Sequence, residues 1–344
     1  MSFEIKVPAS SANIGPGFDV LGISLNLYLT IRVEVTSKDT SSYNKNIKIN
    51  YQGNLAEKVP LDANKNLITQ TALYILRCNN IHEFPKGTEI FVNNPIPLGR
   101  GLGSSASAIV GGIILGNEIG KLNLSKNRLL DYCLMIERHP DNIAPTMLGG
   151  FIGSYLNDGV NNDIPLDYIL PTDSTPKDKI VTNQPQENIG EYLPYNWNKK
   201  IKCITIIPNF EVSTDLSRSV LPDSYSRLDV VYNLQRISTL ITSLTLDPPK
   251  NKLIYQSMKD KIHQPYRFKL IPGLNKVLEN ITTDKFDHLC GICLSGAGPT
   301  VLVLATGDYE LIANEVIKIF NDEKIDCDWK VLDLAYDGAT VNRL

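Results

Sequence analysis

The sequence predicts an α+β fold that is built from two domains. At 344 residues the chain is long for a single hydrophobic core, so two domains are expected. Apolar residues alternate with other residues along 19–35, which is typical of half-buried β-structure. The segment 274–334 shows the order helix, strand, strand, helix, strand, which favours a ferredoxin-like α+β domain.

Hydrophobic periodicity predicts the elements of the first domain. The segment 19–35 is either one bent strand or a pair of strands, and Ser104 and Ser125 are predicted helix N-caps. The remaining predictions are strands at 3–8, 47–51 and 88–93, helices at 66–78, 105–120 and 125–137, loops at 9–18 and 139–145, and a hairpin tip at 36–46.

The second half of the chain begins in an irregular segment, 157–198, that contains many Asn, Asp, Pro and Thr residues. We place the domain junction and a surface excursion there, which gives domains at 1–165 and 166–344. The predicted elements that follow are a strand at 201–208, a helix that opens at Ser213 or Thr214, helices at 227–245 and 251–261, a loop at 263–273, helices at 274–283 and 310–320, and strands at 290–294, 301–305 and 328–334.

A glycine-rich loop at 97–103 leads directly into the predicted helix 105–120. Gly99, Gly101 and Gly103 are spaced two residues apart, so the backbone can adopt positive φ and approach a ligand closely. The free N–H groups and the dipole of a helix N-terminus favour an anion there. The obvious anion is a nucleotide phosphate, and the alternative on these residues alone is a glycine-rich turn that caps a buried helix.

The loop differs from the two commonest phosphate-binding motifs. A P-loop ends in Gly-Lys-Ser/Thr, whereas no lysine occurs between Lys86 and Lys121. A dinucleotide fingerprint has the spacing G-x-G-x-x-G directly after a strand, whereas here Pro95 and Pro97 intervene and the spacing is G-x-G-x-G.

Composition excludes several classes of function. The formal net charge is −3 and basic residues form no cluster, which argues against nucleic acid as a partner. No run of 18 apolar residues occurs, so no membrane span is expected. The N-terminus lacks the apolar stretch of a signal peptide, and we therefore expect a cytoplasmic protein.

Three motifs together resemble the GHMP kinases. Pro-x-Gly-x-Gly-Leu-Gly-Ser-Ser-Ala at 97–106 resembles the phosphate loop of that family. The segments 7–22 and 294–300 match two further motifs of the family, in the same order, and the three span nearly the whole chain. Within the family, the Pro-Ala-Ser-Ser-Ala-Asn-x-Gly-Pro-Gly-Phe-Asp opening at 8–19 and His-Pro-Asp-Asn-Ile-Ala-Pro at 139–145 are similar to the homoserine kinases.

The resemblance implies a fold, an activity and partners. The fold is the two-domain GHMP kinase fold, with an N-terminal domain like domain 2 of ribosomal protein S5 and a ferredoxin-like C-terminal domain. The activity is ATP-dependent phosphorylation of the side-chain hydroxyl of L-homoserine in threonine biosynthesis, with Mg²⁺. A homodimer is expected because dimers are common in the family.

The resemblance also implies a nucleotide site and a metal site. The implied metal ligands are Ser105 and Asp131, which lies eight residues before His139. The family more often has Glu at the position of Asp131, so Glu137 is the rival ligand. The implied ATP-binding residues are Pro97, Leu98, Gly99, Arg100, Gly101, Leu102, Gly103, Ser104, Ser105, Ala106 and Ser107.

For the amino-acid substrate, the resemblance implies that Arg218 and Arg267 bind the carboxylate, which suits the guanidinium fork. Asp19 is expected to pair with the ammonium group. The remaining implied contacts are Asn13, His139, Asn142, Thr214 and Gly296. Asn142, Asp19 and Arg218 are the implied catalytic residues, and no dedicated base is expected because an amide at 142 accepts protons poorly.

Two alternative functions remain open at this point. One is a GHMP kinase for another small alcohol, such as mevalonate or a sugar, although the paired arginines and Asp19 favour a zwitterion. The other is a non-catalytic sensor that binds ATP and a metabolite on the same fold, which the intact Ser105, Asp131 and glycine-rich loop disfavour.

Overall fold

The protein is described by a computed structural model that covers residues 1–36, 43–44, 47–160 and 163–344. Most of the predicted hairpin tip at 36–46 lies outside this part of the chain. The strands are β1 (Ser2–Ala12), β2 (Leu21–Val35), β3 (Tyr43–Asn44), β4 (Lys48–Gly53), β5 (Phe84–Pro85), β6 (Thr88–Asn94), β7 (Phe151–Leu156), β8 (Gly190–Tyr195), β9 (Lys202–Pro208), β10 (Leu289–Leu294), β11 (Val301–Ala305), β12 (Cys327–Leu332) and β13 (Thr340–Arg343).

The helices confirm most of the predicted ones to within a few residues. They are α1 (Leu67–Cys78), α2 (Ser104–Gly120), α3 (Lys126–Glu137), α4 (Pro140–Leu148), α5 (Leu166–Ile169), α6 (Thr214–Ser219), α7 (Arg227–Ser243), α8 (Asn251–Ser257), α9 (Gln264–Arg267), α10 (Leu274–Asn280) and α11 (Tyr309–Asp322). Short 3₁₀ turns occur at Ala56–Lys58, Lys177–Lys179 and Phe268–Leu270.

The first sheet is organised around β2, which is one continuous strand of 15 residues. Its residues 30–35 pair with β6 and its residues 21–23 pair with β7, while β1 pairs along the opposite edge. The sheet has the order β13-β1-β2-β6-β4, with β8 added to β7. Because β8 and β13 follow residue 165, the second half of the chain returns twice to this sheet. The domain boundary at 165 stays a prediction.

The second sheet has four antiparallel strands in the order β10-β11-β9-β12. The first of these strands in the sequence, β9, lies between the third and the fourth, which is the order of a ferredoxin-like domain. This sheet packs against α10 and α11 through a second hydrophobic core. The turn between β10 and β11 therefore projects from one end of a rigid sheet.

Helix α2 follows the glycine-rich loop and is buried along nearly its whole length. It packs closely on α1, because a Cβ atom at Gly112 would lie 1.8 Å from Thr71 Oγ1 and 2.2 Å from the Ile68 carbonyl oxygen. A helix that is apolar on all sides is typical of a core position. Within the described residues, no helix is long and apolar enough to span a bilayer.

Three local predictions were wrong. The N-cap of α2 is Gly103 rather than Ser104, because the cap residue has φ 67°, a conformation that glycine adopts without strain. Residues 140–148 form α4 instead of a loop, since Pro140 occupies the first turn, where no backbone N–H is needed. The segment 263–273 contains the short helix α9.

The irregular segment 157–198 is held against the first domain by charged side chains. Arg77 donates to the carbonyl oxygens of Val181 and Ile169, at 2.9 and 2.6 Å. Arg128 donates to the carbonyl oxygens of Gln186 and Pro185. These bonds satisfy backbone groups that have no sheet or helix partner. In the described part of the segment, the longest element is β8.

Candidate active site

Two cavities meet at the glycine-rich loop and share Gly99, Ser104 and Ser105. The first cavity, of about 100 Å³, lies between the loop, the start of α4 and α6. Its lining comprises Asn13, Gly99, Arg100, Gly101, Gly103, Ser104, Ser105, Ala106, Glu137, His139, Asp141, Asn142, Val212, Thr214, Arg218, Arg267, Gly296 and Ala297. The second cavity, of about 310 Å³, lies between the loop and the segment that joins β4 to α1.

The loop has the conformation that its glycines predict. Gly99, Gly101 and Gly103 all have positive φ, at 64°, 81° and 67°. The N-terminus of α2 opens on both cavities, and the Ser105 side chain is exposed there. Unpaired backbone N–H groups and the helix dipole therefore favour an anion where the cavities meet.

Not every residue of the predicted nucleotide loop faces a cavity. Leu102 is fully buried in the core. Ser107 Oγ donates to the carbonyl oxygens of Pro8 and Gly103. Pro97 lines neither cavity, whereas Leu98 lines the second and Arg100 the first. The buried members therefore shape the loop rather than face a ligand.

The turn between β10 and β11 packs directly on this loop. Ser295 Oγ donates to the Gly101 carbonyl oxygen at 2.6 Å and lies 2.7 Å from Ser11 Oγ. Gly296 has φ 56°, and its carbonyl oxygen accepts hydrogen bonds from Asn13 and Arg267. The turn between β10 and β11, which contains the motif at 294–300, thus forms one wall of the first cavity.

The two predicted carboxylate-binding arginines lie on one side of the first cavity. Arg218 forms a bidentate pair with Asp19, with Nη1–Oδ2 and Nη2–Oδ1 distances of 2.9 and 2.6 Å. Asp19 therefore pairs with an arginine in this structure, whereas the family resemblance implies that it pairs with a substrate ammonium group. Burial opposes the charge of Arg218, but the Asp19 carboxylate prevails and raises the pKa of the guanidinium.

Arg267 is almost fully buried and is held by three protein acceptors. It donates to the carbonyl oxygens of Ser217 and Gly296 and to His263 Nδ1, at 3.3, 2.9 and 3.1 Å. Burial, followed by the neighbouring charge of Arg218, lowers the pKa of Arg267 to about 10. The guanidinium remains charged at neutral pH and forms a preorganised positive group in the cavity wall.

Phe18 and His263 hold these two cations next to each other. The Phe18 ring centroid lies 5.4 Å from the guanidinium carbon of each arginine, within the range of cation–π contacts. His263 stacks on Phe18, with a centroid distance of 5.4 Å. Because Arg267 only donates, His263 Nδ1 must accept, and Nε2 then donates to the Gly15 carbonyl oxygen. Burial lowers the pKa of His263, so the ring is neutral.

An acidic cluster forms the opposite wall, where α3 ends and α4 begins. His139 Nδ1 lies 3.0 Å from Asp141 Oδ1, and His139 Nε2 lies 3.6 Å from Glu137 Oε1. Burial lowers the pKa of His139, but the hydrogen bond to Asp141 and the two carboxylate charges outweigh it and raise the pKa. Burial and the Asp141 charge raise the pKa of Glu137.

The remaining predicted contacts also converge on the first cavity. Asn142 Oδ1 accepts a hydrogen bond from Ser10, so the amide nitrogen is the end that can donate to a ligand. Asn13 is tied at both ends of its amide, because Nδ2 donates to Gly296 and Oδ1 accepts from the Asp19 backbone. Thr214 is the first residue of α6 and lines the cavity.

The predicted metal ligand Asp131 lines neither of the two cavities. Its carboxylate lies on the other side of α3, where it pairs with Arg128 at 2.9 Å. It also accepts hydrogen bonds from the backbone N–H groups of Asn188 and Ile189. Asp131 therefore anchors the segment before β8, and Glu137, the rival residue, lines the cavity with Ser105.

Sequence reasoning missed Phe18, His263 and the second cavity. Phe18 and His263 each lie in a predicted loop, and only their shared contact with the arginines indicates a role. The second cavity draws on several segments, so no local motif marks it. It is lined by Tyr51, Lys58, Val59, Pro60, Lys65, Asn66, Leu67, Ile68, Asn94, Leu98, Gly99, Ser104, Ser105 and Ala108.

Known homoserine kinases are similar to this chain over nearly its whole length. The model of the GHMP kinases N terminal domain matches residues 66–150, which include the glycine-rich loop. The chain is 68% identical to a homoserine kinase of Candida albicans, over 99% of this chain and 98% of that protein. It is 53% identical to a homoserine kinase of Saccharomyces cerevisiae, over 99% of both.

A solved structure confirms the predicted GHMP kinase fold. The crystal structure of a homoserine kinase from Cytophaga hutchinsonii superimposes with a TM-score of 0.74 and 26% sequence identity. The match covers 99% of this chain and 97% of that one.

The raised pKa of His139 gives a prediction about pH. In Asp141→Asn, His139 loses its ionised partner, so we expect its pKa to fall, as measured by NMR titration of the imidazole C2–H signal. Because the pKa of His139 is raised in the folded state, its protonation stabilises the fold fully below the unfolded pKa of about 6.5. This stabilisation is lost as the pH rises through the folded-state pKa.

The variant should therefore lose more stability at pH 6 than at pH 9. Asp173→Asn, which removes an exposed carboxylate outside the first cavity, is the control and should leave the His139 signal unchanged. An unaltered His139 midpoint in Asp141→Asn would contradict the assignment.

Proposed function

The chain belongs to the homoserine kinases of the GHMP kinase family, and we propose that it transfers the γ-phosphoryl group of ATP to the side-chain hydroxyl of L-homoserine. The product is O-phospho-L-homoserine, an intermediate of threonine biosynthesis. The observation that carries this proposal is the convergence of an anion-binding helix N-terminus and a pair of arginines on one cavity.

ATP occupies both cavities in this proposal. The triphosphate lies at the glycine-rich loop, where the N-terminus of α2 supplies backbone N–H groups and a favourable dipole. The base and ribose lie in the second cavity, which is open to the loop through Gly99, Ser104 and Ser105. The γ-phosphoryl group then points into the first cavity, towards the acceptor.

L-homoserine lies in the first cavity, between walls of opposite charge. Arg218 and Arg267 bind its carboxylate, because planar guanidinium groups match a carboxylate in geometry and charge. Asp19 is next to Arg218 and binds the ammonium group, with Thr214, Asn13 and Gly296 completing the wall. His139 and Asn142 contact the remaining part of the substrate from α4.

The reaction proceeds by placement of the acceptor rather than by a dedicated base. Asn142 cannot accept a proton usefully, and the Asp141 carboxylate is engaged with His139. The Asn142 amide nitrogen and Arg218 steady the charge that develops in the transition state. Placing the hydroxyl in line with phosphorus can contribute on the order of 7–11 kcal/mol through effective molarity. Phosphoryl transfer depends mostly on such positioning and on charge neutralisation.

Oxygen groups at the loop fit Mg²⁺. The Ser105 hydroxyl is exposed at the cavities, and the Glu137 carboxylate lines the first of them. Across the described ranges, no three His, Cys, Asp or Glu side chains converge as a metal site, so phosphate oxygens and waters must complete the coordination. When bound, Mg²⁺ neutralises charge on the nucleotide phosphates.

We also propose that the protein is a homodimer. Helix α7 exposes Leu228, Val231 and Leu234, with exposed fractions of 77%, 43% and 61%. These positions lie on one face of the helix at spacings of three residues, and a second copy would cover them. Size-exclusion chromatography with light scattering tests this state. A cytoplasmic location stays a prediction from the sequence.

The proposed function predicts which acceptor stimulates ATP turnover. With Mg²⁺ and ATP, we expect L-homoserine alone to accelerate ADP release and to give O-phosphohomoserine, detected by ³¹P NMR. The comparison acceptors are L-threonine, L-serine, mevalonate, galactose and no acceptor. Turnover with another alcohol instead would leave the assignment as a kinase intact and refute the roles of Arg218 and Arg267. Saturable ATP binding without any turnover would favour a sensor.

Asp19 and Asp141 have different predicted roles in turnover. Asp19→Asn should raise the homoserine KM by roughly tenfold or more, because a charge-assisted contact is lost, while the ATP KM stays unchanged. Asp141→Asn should keep kcat within about tenfold of the wild-type value, because Asp141 is not a general base in this proposal. Loss of a general base would lower kcat by about 10²–10⁴-fold. Steady-state kinetics test both variants. Abolished turnover in Asp141→Asn with substrate binding intact would refute the absence of a dedicated base.

The metal assignment predicts a contrast between two acidic residues of one helix. Glu137→Gln should raise the Mg²⁺ concentration needed for half-maximal turnover, because it removes an oxygen ligand. Asp131→Asn should leave that concentration unchanged and lower the Tm, because Arg128 and two backbone N–H groups lose their ionised partner. The reverse pattern in the Mg²⁺ titration would restore Asp131 as the ligand.

A further inference from the structure

An ion pair joins distant parts of the chain at the junction of the two cavities. Lys58 Nζ lies 3.1 Å from Glu211 Oε1. Lys58 belongs to the 3₁₀ turn between β4 and α1, and Glu211 lies between β9 and α6. The Lys58 side chain is 60% exposed and the Glu211 side chain is 49% exposed. Such exposed pairs contribute little to folding, so this pair has no strong stabilising role.

Glu211 places a carboxylate on the anion-binding loop. A Cβ atom at Gly99 would lie 3.3 Å from both Glu211 Cγ and Glu211 Oε2. Gly99 lines both cavities, and its carbonyl oxygen accepts a hydrogen bond from the backbone N–H of Val212. A negative charge at this position opposes the binding of phosphate unless a cation neutralises it.

The cations that the loop itself supplies are few. The only basic residue between Lys86 and Lys121 is Arg100. Arg100 is 8% exposed, and its Nη2 donates to Asn209 Oδ1 at 2.7 Å. Among the described residues, the lysines that line the second cavity are Lys58 and Lys65, and Lys58 pairs with an acid that touches the loop.

We propose that Lys58 is a phosphate-binding residue that Glu211 holds in place until the nucleotide arrives. On binding, the Lys58 ammonium group exchanges the Glu211 carboxylate for a phosphate oxygen of the nucleotide, and Glu211 moves away from Gly99 into solvent. A lysine on a flexible stem suits such an exchange, because its ammonium group is a compact charge with three donors. The inference rests on the proposed function, since it assigns a further residue to the same nucleotide site.

The test is calorimetric titration of the purified full-length protein with ATP, ADP and adenosine. Lys58→Met should weaken the binding of ATP and ADP by roughly tenfold and leave adenosine unchanged, because only the phosphates lose a contact. Glu211→Gln should strengthen ATP binding. The double variant should bind ATP more tightly than Lys58→Met, because the unpaired Glu211 carboxylate is then absent.

Lys252→Met is the matched control. Lys252 is an exposed lysine that pairs with Asp284 at 3.3 Å and lines neither of the two cavities, so its loss should change no nucleotide affinity. Thermal unfolding of each variant verifies that it is folded.

Two results would overturn the inference alone. The first is that Lys58→Met binds ATP with wild-type affinity. The second is that Lys58→Met loses ATP and adenosine affinity equally, which would place Lys58 at the base instead of the phosphates. Wild-type protein that bound none of the three ligands would overturn the proposed function and this inference together.

Discussion

The site depends on the close contact between the glycine-rich loop and the turn after β10. A Cβ atom at Gly101 would lie 2.4 Å from the Ser295 carbonyl oxygen, so only glycine permits this approach. The loop leads into α2 of the first core, and the turn belongs to the second sheet. Their contact therefore sets the distance between the helix N-terminus and Arg267, which bonds to Gly296 in the same turn.

Charge balance is the second constraint on the site. Two guanidinium groups lie against one phenylalanine ring, and the charge of Arg218 contributes to lowering the pKa of Arg267. The structure offsets this repulsion with the Asp19 carboxylate on Arg218 and with a neutral His263 that accepts a hydrogen bond from Arg267. The unfavourable free energy of bringing the two cations together is offset when the protein folds, before any ligand binds. The proposed substrate carboxylate would therefore meet preorganised positive charge instead of mobile side chains.

The different surroundings of Asp131 and Glu137 show where sequence reasoning reaches its limit. Both residues lie on α3, six positions apart, which corresponds to about 240° of rotation around a helix axis. They therefore face different surroundings, although both are acidic and precede His139. Spacing along the chain locates the helix, whereas the neighbours of each face decide whether a carboxylate meets a cavity or the backbone of residues 188–189.

The sequence by itself determined the glycine-rich loop, the two-core α+β architecture and many of the residues that line the first cavity. It did so because these features depend on local chemistry: glycines that permit positive φ, hydrophobic periodicity, and motifs that contain Asn13, His139, Asn142 and Gly296. Only the tertiary structure decided the Asp19–Arg218 pair, the placement of Phe18 between two arginines, the second cavity and the Lys58–Glu211 pair. The partners in the two ion pairs are more than 150 residues apart. Such contacts are set by how the two cores pack, and no local pattern in the sequence records that packing.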